Sequence, residues 1–187
     1  DYCIGNSDGR VVIFQDVSAE AVRESVEAQK LPRVAVGAAA GGSHSFQALL
    51  AGNPAPAVAR ATASDLSLLL YTSGTTGKPK GATITHRQVI ANLQNIMVGG
   101  IVGAMRNGGL ESPYQSASLL VVPLFHVTGC LATMVTAFAT GAKLVLMPPG
   151  RFDPDHAMET VERERIAAIG GVPTIMWRIV ESPNFAK

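Results

Sequence analysis

The chain has 187 residues and a net charge of +1, with 47% hydrophobic and only 16% charged residues, against roughly 25% charged in a typical soluble domain. That length is enough for one domain with a sizeable core. Near-neutral charge with no basic cluster, and only 5% aromatics, argue against nucleic acid as a partner, because that binding rests on Lys and Arg neutralising phosphates and on stacking rings.

In chain order, Val11–Phe14 is a β-branched and aromatic run and reads as a buried strand. Ser18 is placed to cap a helix running to about Gln29, with Ala21, Val22 and Val26 on its apolar face. Val34–Val36 is a second strand, and the β-α-β order favours a parallel sheet. Gly41-Gly42-Ser43 opens a loop, and Ala51–Ala63 is an Ala/Pro/Gly-rich connector. Ser67–Tyr71 is a third strand, followed by a polar loop over Thr72–Gly81 and a short extension over Ala82–Ile84. Thr85 and Gln88 have capping-box spacing, and the helix behind them gathers Val89, Ile90, Leu93, Ile96 and Met97 on one face.

Leu119–Leu124 is apolar throughout and reads as a central strand. The longer apolar stretch Ser118–Ala139 is interrupted by Pro123, His126 and Gly129, so it divides into a strand and a helix and does not form a transmembrane span; peripheral membrane contact stays open. The helix after Gly129 ends at Gly141, and Lys143–Met147 is the next strand. Asp153-Pro154 is a cap followed by proline at the first helical position. Ile166–Ile169 is a further strand, and Pro173 starts a last helix through a core-facing Trp177 to about Val180. The alternation predicts an α/β fold with a mainly parallel sheet flanked by helices. Cys3 and Cys130 lie far apart and read most simply as a reduced, cytosolic pair, with a disulfide left open, and no Cys/His spacing suggests zinc. No signal-peptide pattern follows Asp1, a start that leaves an earlier leader open.

The most informative stretch is Tyr71-Thr72-Ser73-Gly74-Thr75-Thr76-Gly77-Lys78-Pro79-Lys80-Gly81. Glycines let backbone N–H groups converge on an anion without a β-carbon in the way, hydroxyls donate to phosphate oxygens, and lysines supply charge. A Walker A loop does not fit, because Gly74 and Gly77 are too close together and Pro79 stands where Ser or Thr should follow the lysine. The bland alternative is a flexible Gly/Ser/Thr linker, which would have no need of two lysines around a proline between two strands.

The loop resembles the signature loop of the adenylate-forming superfamily: acyl-CoA and aryl-CoA synthetases, luciferases and the adenylation domains of peptide assembly. Pro123-Leu124-Phe125-His126-Val127-Thr128-Gly129 and Gly171-Val172-Pro173-Thr174 resemble two further segments of the same large N-terminal domain. The resemblance covers about Ser64 to Lys187 well, and the first third only by its β-α-β pattern. It implies a two-step reaction, in which a carboxylate attacks the α-phosphate of ATP to give acyl-AMP and pyrophosphate, and a thiol, usually coenzyme A, then takes the acyl group. By motif position, Thr72, Ser73, Thr75, Thr76, Lys78 and Lys80 would cradle the β- and γ-phosphates, with Gly74 and Gly77 allowing close backbone approach. The family pattern also suggests Thr72 as a Mg²⁺ ligand.

His126 and Gly129 would border the acyl pocket; a lone His at the end of an apolar strand is often just a hydrogen-bonded core residue, but with the loop present the pocket wall is the favoured reading. His44, His86 and His156 stand in polar contexts, and His156 reads as a solvated side chain. The family's adenine-pocket, ribose, metal-acid, hinge and adenylation-lysine motifs do not follow Gly171. The resemblance therefore implies that residues 1–187 are part of the N-terminal domain, without the C-terminal domain and inert alone. Whether that reflects a cut piece or a natural remnant stays open. Two other functions stay in view: a non-catalytic nucleotide- or phosphate-binding module, and an amino-acid adenylation domain, for which an Asp-bearing pattern would be expected at the His126 motif.

Overall fold

The structure is a computed structural model that describes residues 1–38, 41–52, 60–74, 77–106, 108, 114–148 and 150–185. It divides into two compact units, Asp1–Thr62 with Tyr71–Thr83, and Ala63–Leu70 with Ile84–Lys187.

The first unit opens with α1 (Tyr2–Asn6), followed by β1 (Val12–Phe14), α2 (Asp16–Glu24), α3 (Val26–Gln29), β2 (Arg33–Ala35), β3 (His44–Ser45) and α4 (Phe46–Ala51). The three strands pair in parallel in the order β1-β2-β3, with Ile13 opposite Val34 and Ala35 opposite Ser45. Phe14, Val22, Ala28 and Ala35 form the core, with Ile4, Val12 and Ala19 packed against them.

The expected single helix to Gln29 is two helices, and Ser18 is not its cap. α2 starts after Gln15, and the chain leaves the helical region at Ser25, whose ψ is 118°. The Ser25 hydroxyl oxygen accepts from Ala28 N at 3.0 Å, while the hydroxyl itself donates to the Asp1 carboxylate. Serine here competes with the backbone and restarts a helix by capping it. The end of α3 is closed by Arg33, whose guanidinium donates to the carbonyls of Ala28, Gln29 and Leu31. β3 and α4 fall after the expected Gly41 loop, and Ser45 caps α4 by accepting from Ala48 N. Most of the Ala51–Ala63 connector lies outside the described residues.

β4 (Leu66–Thr72) and β5 (Lys80–Thr85) form a two-stranded sheet. Both are longer than expected, so that Thr72, Lys80 and Gly81 are strand residues and the loop proper is shorter.

The second unit continues with α5 (His86–Arg106), β6 (Ala117–Leu120), a π-helix over Thr128–Val135 that runs on as α6 (Thr136–Thr140), β7 (Lys143–Leu146), α7 (Pro154–Glu164), β8 (Ala168–Gly170) and α8 (Pro173–Val180). The capping box is present: Gln88 Oε1 accepts from Thr85 N at 2.8 Å, and Gln88 N donates back to the Thr85 hydroxyl at 3.4 Å. β6 is central in a parallel sheet ordered β7-β6-β8, and Leu119 on it is fully buried. The strand ends at Leu120, four residues earlier than expected. Pro123 has no N–H to offer a ladder, and its carbonyl instead accepts from His126 N in a turn.

α7 starts as the sequence indicates, with Asp153 Oδ1 accepting from Asp155 N and His156 N. α8 starts at Pro173 but turns Ile179 inward and leaves Trp177 66% exposed. Trp177 is therefore not a core residue in this chain. By length and composition α5 could cross a bilayer. Its Val89, Leu93 and Ile96 are half-buried, whereas Ile90 and Met97, expected on the same packed face, are exposed. Cys3 lies in the first unit and Cys130 in the second, each as a half-buried free thiol.

Candidate active site

The loop between β4 and β5 belongs to the first unit. Its stem is closed where the Thr72 hydroxyl donates to the Lys80 carbonyl at 3.4 Å. Gly74 and Gly77 have φ of +65° and +87°, a region that costs an L-residue about 1–2 kcal/mol. A β-carbon on Gly74 would stand 2.4 Å from the Lys78 carbonyl oxygen. Thr72, Ser73, Gly77, Lys78 and Lys80 are exposed and Gly74 is half-buried, so hydroxyls, backbone and ammonium groups are open to an incoming anion. Thr75 and Thr76 lie outside the described residues.

Two contacts that sequence reasoning missed reach this loop from α1. The Tyr71 hydroxyl donates to Asn6 Oδ1 at 2.7 Å, and Lys78 Nζ lies 5.9 Å from the centroid of the Tyr2 ring. The Tyr71 phenol is held above its ordinary value, first by desolvation and then by Cys3, Tyr2 and Asp8. No local signal announces these partners, because they lie more than sixty residues back along the chain.

Among the described residues no group of three or more His, Cys, Asp or Glu side chains is placed to hold a metal. Thr72 offers one neutral oxygen, whereas Mg²⁺ prefers an octahedral oxygen set that includes carboxylate or phosphate. The described residues therefore do not make a resident Mg²⁺ site; a metal at Thr72 would need oxygens brought by the nucleotide.

His126 and Gly129 belong to the second unit. His126 is exposed in this chain. Its Nδ1 accepts from Thr128 N at 3.2 Å, so in the neutral ring the proton sits on Nε2, which is left to act as a donor. Gly129 is buried, and a β-carbon there would stand 2.4 Å from the Pro123 carbonyl oxygen and 2.7 Å from that of Val122. Its glycine identity is thus explained by packing at the end of β6. Gly129 lies in the first turn of the π-helix, in which the Thr133 hydroxyl donates to Thr128 O and the Thr136 hydroxyl to Leu131 O, each five residues back. Such widened turns are frequent at functional sites.

Two cavities flank this region. One of about 540 Å³ lies between α5, the π/α6 helix and the sheet, and is lined by Ile96, Met97, Ile101, Ala132, Thr136 and Gly170 among others. The other, of about 500 Å³, sits beyond the carboxyl ends of β6 and β7 against Pro123, Leu124, Arg151, Phe152 and His156. His156 is half-buried in that wall and not a freely solvated side chain. His126 lines neither cavity.

This chain belongs to the AMP-binding enzyme family, whose model matches residues 1–187. The relatives are ligases that join acids to coenzyme A. The chain is 30% identical to 4-coumarate--CoA ligase 3 of Oryza sativa subsp. japonica over 94% of its own length and 30% of that protein's. It is 29% identical to a feruloyl-CoA synthase of Amycolatopsis sp over 99% of its length and 33% of that protein's. It thus spans about a third of the length of these curated relatives. The inhibitor-bound N-terminal domain of FACL13 from Mycobacterium tuberculosis superposes with a TM-score of 0.73 at 25% identity, covering all of this chain and 43% of that one. ATP-bound MatB from Rhodopseudomonas palustris shares the fold, with a TM-score of 0.75 at 24% identity over 97% of this chain and 33% of that one. The expected α/β fold of an acyl-CoA synthetase N-terminal domain is borne out.

Proposed function

We propose that residues 1–187 are part of the nucleotide-binding N-terminal domain of an ATP-dependent carboxylate–CoA ligase acting on a fatty or related acyl acid. The observation that carries this reading is the Tyr71–Gly81 segment, a glycine loop between paired strands that presents hydroxyls and two lysines to solvent. Family membership and relatives named for coumarate, ferulate and long-chain fatty acid support it.

In this reading Thr72, Ser73, Lys78 and Lys80, with Thr75 and Thr76 between them, hold the β- and γ-phosphates of MgATP, and Gly74 and Gly77 let the backbone approach. Charge-assisted hydrogen bonds of this kind are the stronger ones. Held there, the pyrophosphate is oriented as leaving group while a carboxylate oxygen of the acid forms the new bond to the α-phosphorus. The sulfur of coenzyme A then forms the thioester at the acyl carbon, and AMP departs. By resemblance to the family's motif, His126 and Gly129 of the second unit are the candidates for the wall of the acyl pocket.

The test is acid-dependent ATP–pyrophosphate exchange by the complete ligase, with a panel of fatty and hydroxycinnamic acids. Exchange supported by a fatty or related acyl acid is expected. ATP binding without exchange for any acid would sink the ligase reading in favour of a non-catalytic nucleotide module, and exchange with amino acids alone would reassign the substrate. The 187-residue chain by itself is expected to form no acyl-adenylate, because positioning and fixed cations at the α-phosphate supply much of the barrier lowering. Mass spectrometry of the reaction mixture reads this directly.

A further inference from the structure

α1 takes no part in the reading above, yet it supplies two side chains to the phosphate loop. Asn6 holds the hydroxyl of Tyr71 at the loop's entrance, and the Tyr2 ring faces the ammonium group of Lys78. The helix is itself tied down. The Asp1 carboxylate accepts from the Ser25 hydroxyl and from Glu27 N at 3.2 Å, and the Ser7 hydroxyl donates to Ile4 O at 2.9 Å. The ring is therefore carried on an anchored element. Among the described residues no carboxylate forms an ion pair with Lys78, and the Tyr2 ring is a group that faces its charge.

We propose that Tyr2 is a positioning residue that parks the Lys78 ammonium on its ring while the loop is without nucleotide and yields it to an arriving phosphate. The proposal rests on the reading of the loop as a phosphate site. A lysine over an exposed ring is held more weakly than a lysine in a charge-assisted hydrogen bond to a phosphate oxygen, so the phosphate wins the exchange. The contact that must be broken subtracts from binding. The sign follows: Tyr2→Leu should bind MgATP or inorganic pyrophosphate about two- to five-fold more tightly than the native chain, while Tyr2→Phe, which keeps the ring, should bind as the native chain does. A purely structural role for Tyr2 would give the opposite sign, because a loosened α1 would loosen the loop.

The experiment uses the 187-residue chain with lysines reductively methylated with ¹³C, the Lys78 resonance being assigned through Lys78→Arg. The ring current should displace that resonance upfield in the native chain and in Tyr2→Phe but not in Tyr2→Leu. Titration with MgATP or pyrophosphate should return it to the solvent position. A Lys78 resonance at the solvent position without nucleotide overturns the proposal, and so does equal or weaker binding by Tyr2→Leu. Failure of the loop reading looks different: the upfield shift is present, but neither MgATP nor pyrophosphate moves any loop resonance. That result would sink the release step while leaving the parked lysine supported.

Discussion

Gly74 and Gly129 each leave room for a carbonyl oxygen 2.4 Å from where a β-carbon would stand, that of Lys78 in the first case and that of Pro123 in the second. Their surroundings differ. Gly74 sits at φ +65° in a loop whose neighbours are mostly exposed, and the carbonyl that crowds it belongs to that same loop. Gly129 is buried against the end of β6, where both crowding carbonyls, Val122 and Pro123, follow directly from the central strand of a parallel sheet. The same near-contact thus serves two purposes. In the loop it shapes a surface that can meet an anion, and in the turn it fixes a helix start against the sheet.

The sharpest way to break this contrast is to fill both spaces. Leu119→Ala, which empties a fully buried position of β6, sets the scale at about 2–5 kcal/mol of stability lost on chemical denaturation. Gly129→Ala should follow with about 1–3 kcal/mol, because the crowding atoms are backbone of the framework; an unchanged melting temperature would refute the framework role. Lys80→Ala should cost about 1.5–3 kcal/mol of MgATP binding, roughly ten- to a hundred-fold, with melting unchanged. Gly74→Ala should cost about 1–2 kcal/mol of stability from its left-handed conformation and weaken MgATP binding as well. A Gly74→Ala chain that binds as the native one does would show that the loop's shape is irrelevant to the ligand.

The smallest expected effect lies away from both glycines. Glu164 accepts from Lys143 and from Arg163. These bonds, that from Lys143 foremost, hold its carboxyl below the ordinary range. A carboxyl depressed in the folded state adds stability above its unfolded value and loses it as pH falls through the folded one. Glu164→Gln should therefore flatten the acid limb of the stability profile slightly, since exposed ion pairs contribute little. An acid limb as steep as that of the native chain would remove the pair from the account.

What was legible in the sequence was local. The loop declares itself by composition, the Thr85/Gln88 box and the Asp153-Pro154 start by spacing, and the central strand by its apolar run. What was not legible depended on distant partners or on small departures from regular geometry. The break at Ser25 is secured by Asp1, twenty-four residues back. Tyr71 finds Asn6, sixty-five residues back. The π-turns over Thr128–Val135 have the same apolar residues as an α-helix would, and Trp177 faces out because Ile179, two residues on, faces in.

The central claim is that the Tyr71–Gly81 loop is a nucleotide-phosphate cradle, and calorimetric titration of MgATP into the native chain and into Lys80→Ala tests it most directly. Weak, saturable binding to the native chain is expected, with a loss of roughly ten- to a hundred-fold in the variant, the value of a charge-assisted contact, and identical thermal melts. Equal affinities in the two chains, or no saturable binding by a folded native chain, would contradict it.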